Sequence, residues 1–270
     1  MDITPASLRI GDRLVLGKYG VRNDSPQPLI WLKASPNCGF ITEYIPDYLC
    51  FDAKEPGNEN RDIQYNGNSN YALSNVHSFL NSDEENWFHP THDYDAAPNR
   101  RQTNTYGEYE SHYGFPYHFE EYEIDSLMLD CVEVAGQRVQ SLVRLPLISE
   151  ISGADRFRLF SKRGIRPKGT DDMVHGRRVG FDYNSYIDYW VLGDEPTRRN
   201  RSFVHIVSRN SSLDATAPST QCGIRPVCKL KPDTLLTLGE DGMYYIKPRT
   251  IQHNICTEDE LISFLGIAQP

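Results

Sequence analysis

Hydrophobic positions along this chain change rhythm several times, and each rhythm predicts an element. After a Gly11-Asp12 turn, Leu14 and Leu16 point one way and Arg13 and Val15 the other, the two-residue period of a strand running to Tyr19. Leu29–Ala34 and Gly39–Ile45 are apolar runs separated by Ser35-Pro36-Asn37-Cys38, the signature of adjacent hairpin strands. The chain therefore opens as a small antiparallel sheet. Asp52 to Asn70 is loop-like, rich in Gly, Asn, Glu and Asp. In Tyr71–Asn81 the spacing of Leu73, Val76, Phe79 and Leu80 predicts a short amphipathic helix, with Ser69 or Asn70 as N-cap and His77 a partly exposed surface histidine. A second short helix is expected over Glu120–Met128, leading into Cys131–Val134. Leu142–Ile151 reads as a buried strand running into a turn or helix start capped by Ser149.

The dominant feature lies further on. Two short apolar runs, Asp188–Leu192 and Cys222–Val227, bracket a polar stretch rich in Arg, Ser and Asn, interrupted only by Phe203–Val207. A long irregular segment held at both ends is the first place to expect a binding surface. Trp190, Arg198, Arg199, Arg201, Arg209, Asn210, Ser211 and Ser212 are the candidate binding residues. Gly223–Leu230 is expected as one closing strand, with Pro226 tolerable only at an edge or strand start. Past it, Leu235–Leu238 and Met243–Ile246 flank Asp241-Gly242 as a hairpin, and Thr257-Glu258-Asp259-Glu260 is a capping box for a short helix ending at Gly266. The predicted organisation is a domain over 1–231 with a Tyr- and His-rich insertion near 86–118, and a tail over 232–270. That tail is too small to own a core and should dock on the main body or on a neighbour.

Composition narrows the class. The chain has 270 residues, 39% hydrophobic and 24% charged, as in ordinary globular proteins. A net charge of -9 argues against a nucleic-acid footprint over the whole surface. The charge is uneven: Ser82–Asp130 carries 12 acidic and 2 basic residues, and Arg156–Arg209 carries 12 basic and 6 acidic. Such blocks suit either solvated loops or opposed faces between subunits. The 16 Tyr suit carbohydrate or protein recognition as well as a strand-rich core. No apolar run reaches membrane-spanning length, so no membrane span is expected. Met1–Pro5 has neither a basic region nor an apolar one, so no secretory signal is expected and the chain is placed in a cytoplasm.

Candidate chemistry is sparse. The 6 cysteines form no C-x-x-C pair and suit free buried thiols, not zinc. His89, His92, Asp93 and Asp95 can be drawn as a metal site, but the interleaved Pro and Asn favour an ordered decorative loop or intersubunit arm. No loop carries the carboxylate spacing calcium needs, and no catalytic motif is present. Neither a metal nor a cofactor is expected.

Five segments in order resemble a known family. They are Gly11-Asp12 through Gly17-Lys18-Tyr19 with Ile30-Trp31; Ser74 through Phe79-Leu80-Asn81; Phe119 through Glu123-Ile124; Leu145–Ile151; and Trp190 with Gly223-Ile224-Arg225-Pro226. This pattern is similar to the uncharacterised bacterial and bacteriophage domains with a C-type-lectin-like fold, related in architecture to formylglycine-generating enzymes. The family's Trp-Leu-Arg-Ser is here Trp190-Val191-Leu192-Gly193, so any role of that Arg and Ser does not carry over. The resemblance implies an α+β, C-type-lectin-like fold of small antiparallel sheets, two short helices and long irregular loops. It implies a non-enzymatic binding or structural module: a bacteriophage decoration, tail or host-attachment protein. Other virion proteins or further copies of the chain would then be its partners, with a glycan or host-surface ligand, and it would be assembled in the host cytoplasm. The alternatives are a bacterial ligand- or carbohydrate-binding protein, cytoplasmic or surface-associated, and a cysteine-dependent oxidase-like enzyme using Cys222 or Cys228.

Overall fold

A computed structural model describes residues 2–104, 107–152, 166–177, 185–193 and 202–248. The first strands are β1 Arg13–Tyr19, β2 Gln27–Lys33, β3 Gly39–Thr42 and β4 Asp47–Cys50. Three short helices follow, α1 Arg61–Asn66, α2 Asn75–Leu80 and α3 Glu121–Ser126. Next come β5 Asp130–Val134, β6 Gln137–Ser141, β7 Val143–Arg144, α4 Ile148–Ser152 and α5 Asp171–Arg177. The remaining strands are β8 Tyr189–Trp190, β9 Val204–Val207, β10 Leu213–Thr216, β11 Gln221–Ile224, β12 Val227–Lys229, β13 Leu236–Leu238 and β14 Tyr244–Ile246.

The architecture is mixed α+β. One sheet has the order β13-β14-β1-β2-β3-β12-β7, a second β10-β9-β8-β11-β4, and β5-β6 stand apart as a hairpin. The sheets are not purely antiparallel as expected, because β1 runs parallel to β14 and β11 parallel to β8. Five short α-helices are described where two were expected. One of them, α1, lies in the stretch read as loop; Asn60 caps it by accepting from the Asp62 N–H. Over Tyr71–Asn81 the predicted helix splits into a 3-10 turn capped by Asn70 and α2 capped by Ser74. Ser149 sits inside α4, and the cap there is Glu150 reaching back to the Leu147 N–H at 2.8 Å.

The chain passes between the two large sheets twice, at the same level. β3 pairs with β12 in one sheet, and β4 pairs with β11 in the other. The expected single closing strand is therefore two strands, broken at Arg225-Pro226 because proline has no N–H to continue a ladder. The Pro226 carbonyl instead accepts from Thr42 N at 3.1 Å, and buried Arg225 donates from Nε to the Thr42 carbonyl at 3.2 Å. The same guanidinium lies 5.6 Å from the Tyr189 ring centroid.

Alternating residues on these strands feed two cores. Trp31, Phe40, Leu49 and Trp190 point into the larger one, while Leu32, Ile41, Tyr48 and Tyr189 point into the other. The aromatic stretch expected as a decorative insertion or arm fills the larger core. Trp87 and Tyr109 stack with ring centroids 5.2 Å apart, Phe79 packs edge-on against both, and Phe115 is buried beside them. A buried ionic network closes the far side. Arg144 holds Glu150 at 2.5 Å and Asp130 at 2.8 Å, and Lys229 reaches Asp130 at 2.7 Å, linking β7, α4, β5 and β12. The hairpin of β13 and β14 extends the larger sheet beside β1, and the helix predicted after it lies outside the described residues. Among the described residues, no helix is long and apolar enough to cross a membrane.

Candidate functional site

Beside the crossing between the sheets lies a cleft of about 810 Å³. One wall is the β1–β2 turn and the start of β2, contributing Tyr19, Arg22, Ser25 and Gln27; the other is Lys168–Asp172 with His175. Leu29, Ile30, Thr42 and Pro46 also line it, with Tyr44 at 40% exposure.

Each wall is tied down by backbone groups. The first is anchored through Asn23, whose Nδ2 donates to the Ser111 carbonyl at 2.9 Å and whose Oδ1 accepts from Tyr113 N at 3.1 Å. The second pairs with the β3–β4 connection: Ile45 N donates to Lys168 O at 2.8 Å and Thr170 N to Ile45 O at 3.0 Å. Thr170 also starts α5, its Oγ1 accepting from Met173 N at 3.2 Å. Asp172 Oδ2 accepts from Val21 N at 2.6 Å, which clamps the two walls together.

Behind the cleft, Tyr19 donates its hydroxyl proton to buried Asp47. His112 Nδ1 lies 3.2 Å from the Tyr19 oxygen and 3.3 Å from Asp47 Oδ2. With the Tyr19 proton directed to the carboxylate, that ring nitrogen is left to donate. Asp47 Oδ1 also accepts from Tyr48 N at 2.7 Å, so the carboxyl that fixes the tyrosine against the cleft is itself held in place. One lining group has no such anchor. Thr42 is 1% exposed, and its Oγ1 is buried with no hydrogen-bond partner. A buried hydroxyl without a partner is costly to the fold.

The described residues among those expected to bind do not line this cleft. Trp190 is fully buried and donates Nε1 to Leu49 O at 3.0 Å, so its ring supports the core and presents nothing to a ligand. Arg209, Asn210, Ser211 and Ser212 are exposed on the turn between β9 and β10. Within the turn, Asn210 Oδ1 accepts from Ser212 N at 3.2 Å and from the Ser208 hydroxyl, while Arg209 ties the turn to Asp188 beside β8, its N donating to Oδ1 at 2.6 Å and its Nε 3.5 Å from the same oxygen. Ser211 takes a left-handed φ of 69°. Arg198, Arg199 and Arg201 lie outside the described residues. Length and polarity single out this longer segment and pass over the cleft. The sequence signal for the cleft is the cluster Arg22-Asn23-Asp24-Ser25-Pro26-Gln27, a polar turn between two strands.

The other chemical candidates separate in space. His92 Nε2 pairs with Glu55 at 2.9 Å, and His89 with Glu84 at 2.9 Å, so the two imidazoles face different acids. Among the described residues, no group of three metal-ligating side chains converges. Cys222 and Cys228 are fully enclosed, and burial pushes both thiols up, away from the thiolate that nucleophilic chemistry needs. No family model, curated protein or solved structure matches this chain.

Proposed function

We propose that this chain is a non-enzymatic binding module on a C-type-lectin-like scaffold. Its ligand is a glycan seated in the cleft between the β1–β2 turn and Lys168–His175. The resemblance in sequence gives the setting, a bacteriophage virion component of the host-attachment kind. The observation that carries the reading is a cleft of ligand size whose exposed lining side chains, Ser25, Gln27 and Tyr44, pair polar groups with a flat ring. The surrounding groups match that ligand chemistry. Ser25, Gln27 and Thr170 add donors and acceptors suited to sugar hydroxyls, and Tyr44 gives a flat half-exposed ring for a sugar face. The clamped walls reduce the ordering cost of binding.

The test is glycan-array and host-cell binding by the whole chain, compared with Gln27→Ala/Tyr44→Ala. Binding that is lost in the double variant supports the reading. Binding that survives it moves the ligand to another surface, and an absence of any glycan or cell binding removes the function. Light scattering on the purified chain, alone and mixed with virion fractions, tests assembly; a persistent monomer that binds no virion component removes the virion setting.

A further inference from the structure

The two walls of the cleft differ in charge, and the difference points to a ligand class. Among the described lining residues, acidic side chains occur on the Lys168–His175 wall alone. Of these, Asp172 has an oxygen committed to the Val21 N–H at 2.6 Å, and Asp171 is exposed at the start of α5. On the opposite wall the lining residues carry one formal charge, Arg22, whose side chain is exposed and has no carboxylate partner among the described residues. Around it stand the neutral, exposed Ser25 and Gln27. A guanidinium offers a planar pair of donors that matches a carboxylate, whereas hydroxyl and amide groups match the rest of a sugar ring.

Resting on the glycan reading above, we infer that the cleft selects carboxylate-bearing sugars of the uronic or sialic acid class, with Arg22 as the specificity-determining residue. The carboxylate lies on the Arg22 wall, away from Asp171, and the hydroxyls meet Ser25 and Gln27. The chain's overall charge of -9 opposes a polyanion at long range, so selection comes from the local guanidinium and affinity falls less steeply with salt than for a steered polyanion.

The experiment is an array containing oligogalacturonides, sialylated oligosaccharides and the methyl-esterified neutral counterpart of each. It is followed by titration calorimetry of the strongest binder with wild type, Arg22→Gln and Arg22→Lys. The expected result is binding concentrated on the carboxylated members. Arg22→Gln should weaken it about 10-fold or more and leave the esterified counterpart unchanged, while Arg22→Lys restores part of the loss. Equal binding of acid and ester, or equal acid binding by wild type and Arg22→Gln, overturns the acidic-sugar inference and leaves the glycan reading standing. No binding to any glycan overturns both. Since Arg22 is exposed, circular dichroism of the variants should match wild type.

Discussion

The guanidinium of Arg225 donates from Nε to the carbonyl of Thr42, 3.2 Å away, at the level where two paired strands leave one sheet and enter the other. The two residues are 183 positions apart in sequence, so this bond joins the first third of the chain to its closing strands. It also holds Thr42, a residue of the cleft lining.

Arg225→Met retains apolar volume but leaves the Thr42 carbonyl buried without that donor, which should cost about 1–3 kcal/mol. Arg225→Ala adds a cavity and the loss of the Tyr189 stacking contact, for a total of about 3–5 kcal/mol. Urea denaturation followed by fluorescence measures both, and a neutral Arg225→Ala would show that the crossing is held by other contacts.

The network around Asp130 gives stability a defined acid limb. Burial by itself would raise this carboxyl, but Arg144 and Lys229 outweigh it and hold the group below its ordinary value. A carboxyl depressed in the folded state contributes stability that is complete above its unfolded value of about 4 and is lost as the pH falls through the lower folded value. Urea midpoints measured between about pH 5 and 2 should decline, and Asp130→Asn should be less stable at neutral pH with a shallower decline. An unchanged slope in the variant would exclude Asp130 as a source of the acid limb.

His77 acts in a higher window. Its ring packs edge-on to Tyr71 at 4.9 Å, with Nε2 3.1 Å from Ser141 Oγ, and burial pulls its pKa below 6.5. Because the unfolded chain takes the proton first, stability is complete above about 6.5 and is lost as the pH falls toward the folded value. His77→Gln should flatten the pH dependence just below 6.5, as read by thermal melts at closely spaced pH. A profile identical to wild type would contradict this placement.

Gly17 tests the bulge that shapes β1. Its φ of +67° falls where the β1–β2 register shifts, and an added Cβ would lie 2.1 Å from Phe119. Its N–H donates to Glu123 of α3 at 3.0 Å. Gly17→Ala combines left-handed strain with overpacking and should cost about 2–4 kcal/mol in a denaturant titration. A loss under about 0.5 kcal/mol would mean that the bulge straightens at little cost.

How far the fold could be read from sequence depended on whether a residue's environment is set locally. β1, β2 and β3 follow from alternation and turn residues, because each strand's inward face is decided by its neighbours in sequence. α3 and the hairpin of β13 and β14 follow for the same reason. The break at Arg225-Pro226 was visible as a proline, but its meaning depends on Thr42 and the β3–β4 crossing, which no local pattern reports. Trp87, Tyr109 and Phe115 misled because irregular segments, with no period to reveal burial, carry them into the core. The site was less legible than the fold. Arg22 and Ser25 share a turn, but Thr42 and Lys168 join them through long-range pairing, and Trp190 looks exposed only if its strand is taken for a rim.

Gln27→Ala/Tyr44→Ala tests the central claim most directly, because both side chains line the cleft and are open to solvent. If the cleft is the binding site, the unliganded double variant should keep wild-type stability within about 0.5 kcal/mol, and its glycan affinity should fall about 5-fold or more. Urea denaturation without ligand and calorimetric titration with the best array binder give the two numbers. A double variant that stays folded and binds its glycan as tightly as wild type would contradict the assignment of this cleft as the binding site.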